Sequence, residues 1–230
     1  MGTEIAVMSS GSAEPGLSLV AAAFEKQTGH AVRISFNLGA QGPRRMDDGE
    51  VFDVVVATSN AIKRSFRPTG LVEEGGISIG RVGIAVTVRP GAPVPDISGV
   101  EALKRAVLEA ESILITSETS GLYIEAMLRK MGIYEQVETK ITKNLPNGPS
   151  LMDRLLSGKG REFAFLSPNA IRTYKEKGLV LVGPLPEQVQ FYREFIAVPT
   201  TKSANKEVAW EFVRFCGGPG KPLLVANGFS

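Results

Sequence analysis

The chain has 230 residues, with 26 lysines and arginines against 24 aspartates and glutamates, so its formal net charge is +2. Hydrophobic residues make up 43% and charged residues 22% of the sequence, which is typical of folded chains and excludes an intrinsically disordered one. A single cysteine, Cys216, excludes an internal disulfide, and a single histidine, His30, excludes a zinc site built from several histidines. The basic residues are scattered, so we expect no nucleic-acid partner. We also expect no metal and no cofactor.

The chain opens on Met1, Gly2 and Thr3 and then enters a predicted strand, without the basic and apolar segments of a secretory signal peptide. Two locations therefore stay open. The protein is expected in the periplasm if a signal peptide has been removed, and otherwise in the cytoplasm. No apolar run approaches the roughly 20 residues that are needed to cross a bilayer.

Short β-branched runs alternate with amphipathic helical segments in the first third of the chain. Strands are predicted at residues 5–8, 32–36 and 53–57, and helices at 17–27, 44–48 and 61–66. Apolar strands separated by helices are typical of a parallel sheet that is covered on both faces. The pattern predicts an α/β unit over residues 1–82.

A second α/β unit is predicted over residues 84–190. Its strands are expected at 82–88, 113–115, 163–166 and 179–182, and its helices at 100–109, 122–131, 150–156 and 170–175. The tail returns with a strand at 195–198 and a helix at 206–215. A chain that leaves one unit, builds another and comes back resembles a hinged two-domain binding protein.

Small polar residues follow the predicted strands of both units. Ligands of parallel α/β sheets bind beyond the carboxyl ends of the strands, and the N–H groups that begin the following helices favour anions. Ordinary helix capping explains any one of these turns, whereas their convergence on one crevice predicts an anion site. The candidate ligand-binding residues in these turns are Ser9, Ser10, Gly39, Ala40, Ser59, Ser117, Thr119, Ser120 and Ser167.

Charged and aromatic residues near these turns add further candidates. Arg44 and Arg45 stand at the start of a predicted helix, where one of them pairs with a ligand carboxylate or another oxyanion, or both form a solvated surface pair. Glu118 is the candidate catalytic base if the protein is an enzyme, because a carboxylate in a closed cleft can move a proton; its alternative role is that of a helix-start acid. Tyr123 is expected either to donate to a ligand oxygen or to pack.

Several short segments carry a family likeness. They are the run Gly91-Ala92-Pro93-Val94-Pro95-Asp96-Ile97, the opening segments Ser9-Ser10-Gly11 and Thr28-Gly29-His30, and the stretch Gly183-Pro184-Leu185-Pro186-Glu187. With these segments the chain resembles the molybdate-binding-protein-like group of type II periplasmic binding proteins. The likeness extends over nearly the whole chain.

The resemblance implies two Rossmann-like α/β lobes that are joined by two crossover strands near residues 83–86 and 192–196. Lobe I is expected to hold residues 1–83 and 193–230, and lobe II residues 84–192, with the ligand cleft between the lobes. The implied ligand positions are Ser9, Ser10, the loop around Gly39 and Ala40, residues 117–120, residues 144–150 and Ser167. A monomer that delivers its ligand to the membrane subunits of an ABC transporter is the expected form.

The predicted function is therefore that of a substrate-binding protein that clamps a small oxyanion. Molybdate-binding proteins resemble one another in having a serine in the loop after the second strand, whereas here that loop, around Gly39 and Ala40, carries no hydroxyl. A nearby arginine fits a carboxylate. The predicted ligand is therefore an organic carboxylate. Two alternatives stay open. One is a tetrahedral oxyanion of the molybdate type. The other is an isomerase or tautomerase of an unsaturated carboxylate, because a related branch of the group contains aconitate isomerase.

Overall fold

The computed structural model describes residues 2–36, 38, 42–117 and 119–230. Contacts divide the chain into two compact units: unit 1 comprises Met1–Val82 and Arg193–Ser230, and unit 2 comprises Gly83–Tyr192. Each unit is built on one five-stranded sheet with helices on both faces. The predicted α/β class is confirmed. Among the described residues, no helix combines the length and the apolar character that a bilayer crossing requires.

The sheet of unit 1 has the strand order β2-β1-β3-β10-β4. Its strands are β1 (Glu4–Ser9), β2 (Ala31–Ser35), β3 (Val54–Thr58), β4 (Ile77–Val82) and β10 (Arg193–Pro199). The first three strands run parallel, whereas β10 pairs antiparallel with both β3 and β4. The carboxyl ends of β1, β2 and β3 therefore meet at one edge of the sheet.

Helices cover both faces of this sheet because its strands are apolar on both sides. The helices are α1 (Glu14–Thr28), α2 (Gly42–Asp47), α3 (Ser59–Ala61), α9 (Lys206–Gly217) and α10 (Lys221–Ala226). Val7 packs in the core under α1, α9 and α10, while its neighbour Met8 packs in a second core with Met46 and Phe66. Side chains alternate between these two cores along β1, β3 and β10, as the pleat requires.

Unit 2 repeats the arrangement with the strand order β7-β6-β8-β5-β9. Its strands are β5 (Ala85–Val88), β6 (Ser112–Thr116), β7 (Ile141–Leu145), β8 (Glu162–Leu166) and β9 (Val180–Pro184). Strand β6 runs parallel to β7 and β8, whereas β5 pairs antiparallel with β8 and β9. The helices are α4 (Val100–Glu109), α5 (Thr119–Lys130), α6 (Tyr134–Val137), α7 (Gly148–Leu156) and α8 (Pro168–Arg172).

Both sheets are mixed, whereas the local pattern of unit 1 indicates a parallel sheet. In each unit four strands run in one direction and a single strand, β10 in unit 1 and β5 in unit 2, runs antiparallel to both of its neighbours. Both β5 and β10 lie next to the points where the chain passes between the units. These pairings join segments far apart in sequence, such as Arg193 with Val82. Local hydrophobic patterns carry no information on the direction of such partners.

The predicted strand 82–88 is two strands, β4 and β5, separated by Gly83 and Ile84. The side-chain amide of Gln190 occupies this break: its Oε1 accepts from the Ile84 N–H at 2.7 Å, and its Nε2 donates to the Ile84 carbonyl at 3.0 Å. A Cβ on Gly83 would lie 3.0–3.2 Å from three atoms of the same amide. The Gln190 side chain thus supplies the acceptor for the Ile84 N–H, while the Ile84 carbonyl also accepts from the Leu185 N–H at 3.0 Å.

A buried carboxylate ties the N-terminal end of β3 to the returning tail of unit 1. Asp53 is 5% exposed, and its Oδ2 accepts from the Ala6 N–H at 2.8 Å. Its Oδ1 accepts from the Ser203 hydroxyl at 2.6 Å and from the Asn205 amide at 3.4 Å. A buried charge is tolerated when donors surround it in this way.

We expect Asp53→Ala to lower the free energy of unfolding by about 2–4 kcal/mol, because two buried donors, on Ala6 and Ser203, lose their acceptor at about 1–3 kcal/mol each. Urea unfolding followed by circular dichroism measures the change. Asp153→Ala is the matched control, since Asp153 forms an exposed pair with Lys177 at 3.5 Å, and such pairs contribute at most about 1 kcal/mol. Equal losses in the two variants would contradict the role of Asp53.

Candidate functional site

Three of the predicted turns of unit 1 share the carboxyl edge of its parallel strands. Ser9 ends β1 and is in register with Val56 of β3, two residues before β3 ends. The backbone N–H of Leu38, in the segment after β2, donates to the Ser9 carbonyl at 3.1 Å. Ser59 follows the end of β3 directly. The structure therefore brings Ser9, Ser10 and Ser59 to one edge of the sheet.

Ser9 and Ser10 bond to each other and to the next turn rather than capping a helix. The buried Ser9 hydroxyl donates to the Ser10 carbonyl at 3.3 Å, and the Ser10 and Ser12 hydroxyls lie 3.2 Å apart. Ser10 precedes a tight helical turn that leads into α1, and its side chain makes no capping bond to that turn. Ordinary helix capping by the side chain therefore does not explain the serine at position 10.

The cap of α3 is Thr58 and not Ser59. The Thr58 Oγ1 accepts from the Ala61 N–H at 3.2 Å. Ser59 is the first residue of the helix and is half-buried at the sheet edge.

The two arginines of α2 differ in their surroundings. The guanidinium of Arg45 binds Glu50 in a bidentate pair, with Nε to Oε1 at 2.8 Å and Nη2 to Oε2 at 2.5 Å, and lies over the Phe52 ring at 5.3 Å. The hydrogen bond from Arg45 holds the pKa of Glu50 below its usual value. Arg44 is exposed. The helix of both arginines, α2, begins at Gly42. A Cβ on Gly42 would lie 3.2 Å from the Sδ of Met8, which is near the end of β1. α2 therefore starts at the sheet edge that carries Ser9.

In unit 2 the corresponding edge is the end of β6 and the start of α5. A Cβ on Gly121, the third residue of α5, would lie 1.8 Å from the Thr116 carbonyl oxygen, so only glycine allows this approach of helix to strand. Ser120 is buried, and its hydroxyl lies 3.4 Å from that of Thr116. Thr119 begins the helix and is exposed.

Two other predicted residues of unit 2 are engaged by the protein itself. Both the N–H and the hydroxyl of Ser117 bond to the Leu145 carbonyl, at 2.9 and 3.4 Å, and join the ends of β6 and β7. Ser167 is buried and caps α8 by accepting from the Ala170 N–H at 3.4 Å. For Ser167 the capping alternative accounts for the serine.

Tyr123 packs and fixes the first turns of α5. Its hydroxyl donates to the Val189 carbonyl at 3.0 Å, and its ring stacks on Phe191 with centroids 4.6 Å apart. Burial raises the pKa of the Tyr123 hydroxyl. The sequence carries no signal for this contact, because Tyr123 and Val189 are 66 positions apart.

Three predicted site residues, Gly39, Ala40 and Glu118, lie outside the described residues. His30 lies at the opposite edge of the unit 1 sheet, where its Nδ1 accepts from the Thr3 N–H at 3.0 Å. Within the described ranges, no group of three or more histidines, cysteines, aspartates and glutamates could hold a metal ion. Burial raises the pKa of the Cys216 thiol, which opposes a nucleophilic role.

Each unit therefore presents small neutral donors beyond the carboxyl end of a parallel strand: Ser10 and Ser12 in the turn that leads into α1, and Thr119 at the start of α5. Backbone N–H groups at the first turn of a helix have no partner within the helix, and the helix dipole adds partial positive charge there. Serine and threonine hydroxyls supply further donors without bulk. Such an edge can bind an anion by hydrogen bonds from neutral groups.

We expect Gly121→Ala to lower the free energy of unfolding by about 2–3 kcal/mol, because the added methyl group would force α5 away from the Thr116 carbonyl. Thermal and urea unfolding measure the change. Gly148→Ala is the matched control at the first turn of α7, where a Cβ has its nearest contact at 3.6 Å from Leu166. That variant should gain or lose less than about 1 kcal/mol, and similar losses in both would refute the close approach at Gly121.

Comparison with known proteins agrees with this architecture. Residues 5–230 match the family model described as bacterial extracellular solute-binding protein. An aconitate isomerase from Pseudomonas sp is 26% identical over 219 residues, which cover 93% of this chain and 82% of that protein.

Two solved structures share the fold. The periplasmic molybdate-binding protein of Azotobacter vinelandii is 20% identical with a TM-score of 0.77, and the match covers 98% of both chains. The sulfate-binding protein SubI from Mycobacterium tuberculosis is 19% identical with a TM-score of 0.77, and the match covers 99% of this chain and 86% of that one. Because the family model extends from Ile5 to the last residue, the chain belongs to the bacterial extracellular solute-binding proteins.

Proposed function

We propose that this protein binds a small oxyanion and that the anion is an organic carboxylate. The observation that carries the proposal is the pair of hydroxyl-bearing turns at the carboxyl ends of β1 and β6, one leading into α1 and the other beginning α5. Ser10 and Thr119 represent these turns in units 1 and 2.

The physical basis is the supply of donors in these two turns. α5 has 12 residues and no acidic residue in its first turn, so its dipole favours an anion there. In α1 the first turn carries Glu14 and Pro15, so the donors of unit 1 are those of the preceding turn, which includes Ser10 and Ser12. Gly121 lets α5 begin directly against the end of β6. A dianion accepts several hydrogen bonds at once, and bonds to a charged group are worth about 1.5–3 kcal/mol each.

Arg44 supports a carboxylate ligand. The exposed Arg44 follows Gly42, which packs near the end of β1, whereas the guanidinium of Arg45 is held by Glu50. The planar guanidinium matches the two oxygens of a carboxylate. We therefore favour Arg44 over Arg45 as the source of positive charge.

Some relatives support the binding of an oxyanion in general, and another supports a carboxylate in particular. The structural neighbours named for molybdate and sulfate support an oxyanion in general. The relative named aconitate isomerase, whose name refers to an organic tricarboxylate, supports a carboxylate. The extracellular family supports a periplasmic protein that passes its ligand to the membrane subunits of an ABC transporter, which we propose for this chain as a monomer.

Isothermal titration calorimetry with sulfate, molybdate, succinate, cis-aconitate and trans-aconitate tests the proposal. We expect a carboxylate to bind best. Ser10→Ala, Thr119→Ala and Arg44→Ala should each weaken its binding by about 1–3 kcal/mol, because each removes a hydrogen bond to a charged oxygen.

Ser157→Ala and Arg161→Ala are the matched controls. Ser157 bonds the carbonyl of Arg154 at the far end of α7, and Arg161 forms an exposed pair with Glu111. These two variants should bind as the unaltered chain does. Absence of binding to all five anions would refute the proposal, and a preference for sulfate or molybdate would refute its carboxylate part.

A second candidate function is the isomerisation of an unsaturated carboxylate, and it is favoured by the 26% identity to aconitate isomerase over 93% of the chain. Glu118 lies between Ser117 and Thr119 in the sequence, next to the proposed donors. Its carboxylate would remove a proton from an allylic carbon, the double bond would shift, and the proton would return at the other end of the allylic system.

Proton NMR of cis- and trans-aconitate in D₂O tests this second function. An isomerase would convert one isomer to the other with incorporation of solvent deuterium, and Glu118→Gln should lower the rate at least about a hundredfold, as expected for a general base. Binding without any exchange would leave the binding function alone.

A further inference from the structure

Leu122 stands out among the apolar residues of α5 because it is exposed. It is 64% exposed, whereas Ile124, Met127 and Leu128 are at most 4% exposed and pack in the core of unit 2. Single exposed leucines are common on protein surfaces, but Leu122 is distinguished by its position in the first turns of α5.

Neighbouring contacts fix the rotation of α5 about its axis. Gly121 packs against the Thr116 carbonyl on one side of Leu122, and Tyr123 is held by Val189 and Phe191 on the other. With both neighbours fixed, α5 cannot rotate to bury Leu122. The leucine is therefore held in its exposed position at the first turns of the helix.

Helix geometry directs this side chain toward the proposed donors. Leu122 is three residues after Thr119, so the two are neighbours on the helix surface. The Cα–Cβ bonds of a helix tilt toward its N-terminus, and a side chain covers the surface of the turn before its own Cα. Leu122 therefore flanks the turn at which Thr119 begins α5.

We propose that Leu122 determines specificity by contacting the carbon skeleton of the bound anion, an inference that rests on the proposed function. An apolar side chain beside hydrogen-bond donors gains nothing from sulfate or molybdate, whose outer surface consists of oxygen. A carboxylate with a carbon chain buries apolar surface against the leucine, at about fourfold in affinity for each methylene group that is fully covered. The leucine also displaces water next to the donors, which strengthens their bonds to charged oxygens.

A homologous series measures this contact directly. Calorimetry with malonate, succinate, glutarate and sulfate compares the unaltered chain with Leu122→Ser and Leu122→Met. We expect affinity to rise along the carboxylate series for the unaltered chain and for Leu122→Met. In Leu122→Ser the rise should disappear and the best carboxylate should bind roughly tenfold more weakly, while the affinity for sulfate changes less than about twofold.

Leu19→Ser on α1 is the matched control, since Leu19 is also an exposed helical leucine at 48%, and it should leave all four affinities unchanged. Because both leucines are exposed, the unfolding midpoints of the variants should match that of the unaltered chain. An equal effect of Leu122→Ser on sulfate and carboxylates, or no effect on either, would overturn the role of Leu122 and leave the proposed function intact. Failure of the unaltered chain to bind any anion in this series or in the earlier panel would overturn both.

Discussion

Parallel pairing of three strands in each sheet is the constraint that places the candidate site. β1, β2 and β3 enter unit 1 in the same direction, and β6, β7 and β8 do so in unit 2. Each parallel strand has to return through a connection at its carboxyl end, so the turns that begin the next helices gather at one edge. The polar side chains of these turns follow from that geometry, because unpaired backbone groups at a helix start need polar surroundings.

The sequence predicted which residues reach this edge but not which of them remain available. Ser9, Ser10 and Thr119 could be placed because each lies in the polar turn that follows a predicted apolar strand. Tertiary neighbours engage others: Leu145 takes the N–H and the hydroxyl of Ser117, and Glu50 takes the guanidinium of Arg45. A partner 28 positions away, as in the first case, leaves no local pattern.

The elements of the fold that could be predicted are likewise those that local sequence signals determine, and the others depend on long-range contacts. The helix predicted at 100–109 has the observed bounds of α4, because amphipathic spacing and its acidic first turn are local signals. The edge strand β7 was missed, because its residues are mostly half-exposed and lack a buried apolar run. The position of β10 between β3 and β4 could not be predicted from local sequence either, because these pairings join residues more than a hundred positions apart.

The pairing of β4 with β10 has a consequence for the modular construction of the chain. Val82 and Arg193 are cross-strand partners in an antiparallel ladder, and unit 2 occupies all of the sequence between them. A two-residue hairpin turn such as Asn-Gly connects antiparallel partners of this kind. In its topology, unit 2 is therefore a domain inserted at the tip of a hairpin. The sheet of unit 1 would be continuous without this insertion, and another domain could be inserted at the same place.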